Sequence, residues 1–245
     1  MYKYISMEIL KTRHARIQWI VIVLGVVTAL YSLIFLGTPM ITPELLFGSA
    51  QNNFSTIWIF TVSFAVAYER IKQEKDAGNY LNIRAATQNN IFNYVNGLSV
   101  SMYYLFFKAL VAYEIISYLI MNSSFNMFSL DAGFIKLIVT SIVLIILYAV
   151  WLLPLIYGLI RFLGVLFAAV MSILFAVIAV LLPPLYSPWS LFAASIANVF
   201  SMSRNGLPVK ETNPELLGYC FVVGILLILL YELILKFIAK GNQDD

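Results

Sequence analysis

The chain has 245 residues, 62% hydrophobic and only 11% charged, with a mean hydropathy of +0.90 and a formal net charge of +3. Soluble globular proteins carry about a quarter of their residues as charges, so composition excludes a soluble enzyme. No polar stretch reaches the roughly 50 residues that an independent domain needs, which leaves one membrane domain over residues 1–245.

The hydrocarbon core of a bilayer is about 30 Å thick and takes about 20 residues of α-helix to cross. Six stretches approach or reach that length: Ile17 to Leu36, Phe54 to Tyr68, Leu98 to Met121, Leu137 to Ile160, Phe162 to Leu182 and Leu216 to Phe237. The expected fold is all-α, a polytopic membrane protein with six transmembrane helices. The second stretch is short unless it begins near Ser49.

Lysine and arginine collect on cytoplasmic flanks. With the N-terminus inside, that side receives Lys3, Lys11, Arg13, Arg16, Arg70, Lys72, Lys75, Arg84, Arg161, Lys236 and Lys240. The opposite side receives Lys136, Arg204 and Lys210, so both termini are expected in the cytoplasm. Trp19, Trp58, Trp151 and Trp189 fall near span ends, where an indole suits the headgroup layer.

In chain order, residues 1–16 place Tyr2, Ile5 and Ile9 at helical spacing opposite Lys3, Ser6, Lys11 and Arg13. That pattern fits an amphipathic elbow helix on the inner surface, or a basic tail that only enforces orientation. The run is too long for a signal peptide and lacks a small-residue cleavage site, so it reads as retained. The first outer loop, Gly37 to Asn53, contains Thr38-Pro39 and Thr42-Pro43, which deny a helix its continuation.

The cytoplasmic segment 69–97 is the longest polar stretch on the inner side. Glu69 to Asp76 reads as a helix leaving the second span. Gly78 offers a left-handed stop, and Asn79 can cap a short helix from Tyr80 to about Ala86. That short helix mixes Leu81 and Ile83 with Asn82 and Arg84, a surface suited to a partner.

The third span holds Lys108 and Glu114, each costing roughly 2.5 to 3.5 kcal/mol at mid-bilayer on an insertion scale. Lys108 either snorkels to the inner surface or lines a substrate path. Glu114, about 240° around the helix from it, either bonds a neighbouring helix or lines that path. Pro154 and Gly158 at the end of the fourth span predict a tight helical hairpin into the uncharged fifth. The outer loop 183–215 is apolar from Pro183 to Met202 and rich in proline, which predicts short helices between the fifth and sixth spans, lying at the outer surface or re-entering.

Catalytic equipment is sparse. There is no phosphate-binding Gly-x-x-x-x-Gly-Lys-Ser/Thr loop. A single histidine, His14, and a single cysteine, Cys220, make no zinc or thiol site. No basic run interleaved with aromatics suggests nucleic acid. The expectation is a non-enzyme with no metal and no cofactor of its own.

A Glu at the end of the second span followed by Glu74-Lys75-x-Ala77-Gly78-Asn79-x-x-Asn82-Ile83 resembles the permease subunits of lantibiotic-immunity ABC transporters, within the type 2 ABC exporter superfamily. Similar too are the basic elbow with Glu8 and Lys11, Lys108 early in the third span, the six spans, the length near 245 and Asn205-Gly206 before the last span. Arg84 and Ala85 depart from the apolar pair more usual there.

The resemblance implies two permeases, the same chain or a related pair, with two copies of a separate cytoplasmic ATPase that holds ATP and Mg. It implies coupling to that ATPase through Glu69, Glu74, Lys75, Gly78, Asn79, Leu81, Asn82, Ile83 and Arg84. The implied cargo is an amphipathic peptide antibiotic, a lantibiotic or other bacteriocin, expelled from the plasma membrane of a Gram-positive bacterium to give immunity. The apolar 183–202 segment would be placed to meet it. Another exported cargo (toxin peptide, lipid or drug) and a non-transport scaffold are the competing readings.

Overall fold

The computed structural model describes residues 6, 9, 17–34, 43–76, 91–125, 132–203, 207, 209 and 213–241. Among these it is all-helical, with no strand. Helix α1 is Ile17–Ile34, α2 Pro43–Asn53, α3 Ile59–Asp76, α4 Ile91–Phe125, α5 Ala132–Leu163, α6 Val165–Leu181, α7 Pro188–Val199 and α8 Pro214–Gly241. A π turn, Phe54–Trp58, joins α2 to α3 without a break. Ser6 and Ile9 are helical, but most of the expected elbow and the whole expected coupling helix lie outside the described residues.

Among the described residues, three helices are long and apolar enough to cross a membrane: α4 over Asn96–Ile120, all of α5, and α8 over Pro214–Tyr231. Gln18–Tyr31 in α1 and Val165–Leu181 in α6 are apolar but shorter. From sequence alone Pro43 falls in a loop; here it opens a helix, because the first helical position has no intrahelical use for the N–H that proline lacks. The stretch expected over Phe54 to Tyr68 is therefore one part of a rod running from residue 43 to 76.

Inside an apolar bundle each backbone carbonyl needs a protein donor. Three departures from α geometry show how this is met. Pro154 sits inside α5 and supplies no N–H to Val150, four residues earlier. The Tyr103 hydroxyl, reaching across from α4, donates to the Val150 carbonyl at 2.8 Å instead. At the π turn, Ser55 and Thr56 donate their hydroxyls to the Asn52 carbonyl at 3.0 and 2.8 Å.

The third departure separates α6 from α7. Pro183, a single 3-10 turn over Pro184–Tyr186, and Pro188 interrupt the helix. Ser187 caps α7 by accepting from the Ser190 N–H, and the Ser190 hydroxyl donates back to the Pro183 carbonyl at 3.0 Å. Short helices stand where the sequence predicts them, between α6 and α8. Every residue from Ser190 to Ala197 is buried, and α7 packs against α2, α5, α6 and α8.

The tight hairpin between α5 and α6 is present, but neither Pro154 nor Gly158 makes it. Both stay helical, and the chain reverses at Gly164, whose φ of 94° is open only to a residue without a Cβ.

Six rings fill the space around the break. Tyr148 stacks on Trp151 and Phe192, Phe175 stacks on Trp189 at 4.4 Å between centroids, and Phe60 meets both Tyr148 and Phe175. Trp151 is buried and Trp189 partly buried among these rings. Proline-broken helix ends leave a gap that large flat side chains fill well. Trp19, 73% exposed, keeps a position open to its surroundings.

Elsewhere helices approach closely through small residues. A Cβ on Gly25 of α1 would lie 2.4 Å from the Ala109 carbonyl oxygen of α4, and one on Gly48 of α2 would lie 2.4 Å from the Cβ of Phe200. Replacing Gly25 by valine is expected to push α1 off α4 and cost about 1–3 kcal/mol, the usual penalty of overpacking. Tyr103→Phe, which leaves the Val150 carbonyl without its donor, should also cost about 1–3 kcal/mol. Thermal unfolding in mild detergent reads both effects.

Candidate functional site

The chain's polar side chains gather at two levels of the bundle. One group lies where α3 and α5 end together, next to the expected coupling segment. Buried residues Ala67, Arg70, Ile71 and Glu74 repeat at helical spacing on α3 and turn toward α5, against which α3 packs.

Arg70 is 1% exposed and Glu74 is 3% exposed, burials that charged side chains tolerate only with polar partners. Arg70 Nη1 donates to Gln73 Oε1 at 2.8 Å. The Tyr157 hydroxyl on α5 donates to Glu74 Oε2 at 3.0 Å, and its oxygen accepts from Arg161 Nη1 at 3.2 Å. A carboxylate on one helix, a phenol on the next and a guanidinium one turn further on make a short chain of hydrogen bonds. Two of these bonds involve an ionised group and are stronger than neutral ones.

Of the residues proposed for coupling, Glu69 is half-buried, Glu74 is inside this cluster and Lys75 is exposed. Gly78, Asn79, Leu81, Asn82, Ile83 and Arg84 lie outside the described residues. The sequence reading missed Arg70, Gln73, Tyr157 and Arg161 as members of a site. A signal existed in the i,i+4 spacing of Tyr157 and Arg161 at the end of a long apolar run, but their partner Glu74 is 83 residues from Tyr157 in sequence.

The second level holds Lys108 and Glu114, which the structure keeps apart. Lys108 Nζ donates to Gln18 Oε1 of α1 at 2.7 Å and sits 4.6 Å from the centroid of the Tyr104 ring. The amine therefore ends on a neighbouring helix and an aromatic face. Glu114 faces α2, where Gln51 Nε2 donates to both carboxylate oxygens, at 2.9 and 2.8 Å. Gln51 lies one turn before the π turn and is fully buried.

Cross-links at other positions fix the remaining helices. The Ser99 and Tyr231 hydroxyls share a 3.0 Å hydrogen bond between α4 and α8. Ser195 of α7 donates to the Leu216 carbonyl at the start of α8. Among the described residues, no three His, Cys, Asp or Glu side chains come together as metal ligands.

Comparison of the chain with family models, with curated proteins and with solved structures returns no match. Function must therefore be argued from the residues themselves.

Tyr157→Phe removes the hydroxyl that links Glu74 to Arg161 and should cost about 1–3 kcal/mol of stability, because polar groups are left short of a partner in a buried place. Thermal unfolding of the purified chain checks this. Tyr157→Leu, which also loses the ring, should cost more.

Proposed function

We propose that the chain is the transmembrane permease subunit of an ABC exporter that removes an amphipathic peptide antibiotic from the membrane. In this reading the protein crosses the plasma membrane six times. The spans are α1, the 43–76 rod, α4, α5, the broken pair α6 and α7, and α8, with both termini in the cytoplasm. ATP and Mg are handled by two copies of a separate cytoplasmic ATPase, and a second permease, identical or related, completes the pore.

One observation carries the proposal: the hydrogen-bonded link from Glu74 through Tyr157 to Arg161 lies immediately before the segment that resembles a coupling helix. A motor that pulls on residues 77–90 pulls first on the end of α3. A loose end would absorb that displacement, whereas one bonded to α5 passes it on as a movement of packed helices. Burial of Arg70 and Glu74, where an exposed helix end would be cheaper, supports a demand for stiffness at this place.

The coupling residues Glu69, Glu74, Lys75, Gly78, Asn79, Leu81, Asn82, Ile83 and Arg84 then form one functional unit with Tyr157 and Arg161. The cargo meets the bundle on the side of α2, which packs against α7 of the apolar 183–202 segment and whose Gln51 bonds Glu114.

Co-expression with an ABC ATPase from the same genome is the test. The two chains should co-purify, and Gly78→Pro or the double change Leu81→Ala with Ile83→Ala should abolish transport-linked ATP hydrolysis while leaving membrane insertion intact. Tyr157→Phe should leave the complex assembled and lower the peptide-stimulated fraction of ATPase activity roughly tenfold if the bond contributes about 1.4 kcal/mol to coupling. Full coupling in all three variants would remove the assignment.

A further inference from the structure

Lys108 takes no part in the proposed coupling, and an ammonium group on an apolar helix is costly wherever it remains among hydrocarbon. Its neighbour Ala109 lies with its carbonyl close against Gly25 of α1. The amine does not stay at that level. It donates to Gln18 Oε1, seven residues before Gly25 and about 10 Å back along the axis of α1. The side chain is therefore laid along α1 toward that helix's first residues, as in a lysine that snorkels out of hydrocarbon.

Two observations mark that level as the edge of a bilayer. Trp19, next to Gln18, is 73% exposed, and an open indole at the end of an apolar helix suits the headgroup layer. The sequence just before α1 carries Lys11, Arg13 and Arg16, three charges that belong outside the hydrocarbon core.

At that edge the amine has donors to spare. An ammonium carries three N–H groups and no acceptor. Among the described residues Lys108 makes one hydrogen bond, to the Gln18 carboxamide, and its other contact is the face of the Tyr104 ring. Neither partner carries a negative charge. Lys108 is half-buried and the ring it stands over is exposed, so the group is reached from the lipid side.

Phe107, Val111 and Ile115 continue the exposed face of α4 beyond Tyr104. From Tyr104 to Ile115 that face is about 16 Å long, comparable to an extended acyl chain. A ligand fitted to it is anionic at the end beside Gln18 and apolar over the rest.

We propose that Lys108, with Gln18 and Tyr104, seats the phosphodiester of an anionic phospholipid, whose acyl chain lies along the Tyr104, Phe107, Val111 and Ile115 face of α4. Phosphate oxygens accept the two remaining N–H groups in charge-assisted bonds. A zwitterionic lipid offers the same oxygens but carries its own cation beside them, and it holds the seat less well. The inference needs only that the chain sits in a bilayer, and it stands apart from the exporter reading.

The full chain in phosphatidylcholine nanodiscs receives a trace of either phosphatidylglycerol or phosphatidylcholine bearing the same diazirine on an acyl chain. After irradiation without any ATPase, adducts are mapped by mass spectrometry. Within residues 104–115 the phosphatidylglycerol probe should label roughly fivefold more than the phosphatidylcholine probe, the weight of about 1 kcal/mol that one cation lends to an anionic lipid. The exposed face of α8 around Val222, Ile225 and Leu229 should take both probes equally. Lys108→Met, which keeps the length and loses the charge, should abolish the preference, and Lys108→Arg should retain it. Lys136→Met, at the start of α5, should leave it unchanged although the net charge falls by the same amount. Matched thermal unfolding confirms that the variants remain folded, and the wild-type comparison decides without any of them. Equal labelling by the two probes over 104–115 would overturn the inference, as would an undiminished preference in Lys108→Met or an equal loss in Lys136→Met. Absence of both labels from 104–115, as when a second copy of the chain covers that face, would overturn it too.

Discussion

A peptide carbonyl inside an apolar helix bundle has no water to turn to, and this single constraint organises the molecule. At three interruptions of the regular helix ladder, a side-chain hydroxyl stands in for the missing donor or acceptor. Tyr103 serves the carbonyl that Pro154 releases. Ser55 and Thr56 serve the widened turn after Asn52. Ser187 and Ser190 close the ends exposed by the break between α6 and α7. Each substitute comes from the same turn or from a helix packed directly against it, so the irregularities depend on the packing and the packing on the irregularities.

The three interruptions are not scattered. The π turn packs against both α6 and α7, and Phe60, just after it, touches Tyr148 of α5 and Phe175 of α6. Bent and broken elements thus share one aromatic interior, with Tyr148 at its centre. At the end where α3 and α5 finish, charge-assisted bonds replace aromatic packing as the means of holding helices together. An aromatic interior permits rings to slide and re-stack, while directional bonds at the end resist rotation. That division suits a bundle moved from one end, as the proposed function requires.

Much of the architecture was legible in sequence. The long apolar runs point to α4, α5 and α8, because apolar length is a direct consequence of the solvent. The turn before α6 was anticipated in place but assigned to the wrong residues, since Pro154 and Gly158 look like breakers until Tyr103 is known to serve Val150. A hydropathy pattern also does not distinguish headgroups from a break inside the bundle, so the packing of Trp151 on Tyr148 and of Trp189 on Phe175 is not legible in it. The candidate site was half legible: Glu74 belongs to a local motif, whereas Tyr157 and Arg161 reach it only through the pairing of α3 with α5. Glu114 announced itself by its cost, but its partner Gln51 lies in a segment whose amides disguise a helix as a loop.

The π turn has one more consequence. A π turn takes up one surplus residue by winding less per residue, so residues 43–53 and 59–76 keep the relative orientation of a helix one residue shorter. Losing one residue from 54–58 would leave the two halves in register, but rewinding all five as an ordinary α-helix would swing the first half by roughly 90° relative to the second. Gln51 would then point away from α4 while Glu74 stayed against α5. The winding of those five residues works like the setting of a gear, and it fixes which neighbour each end of the rod engages.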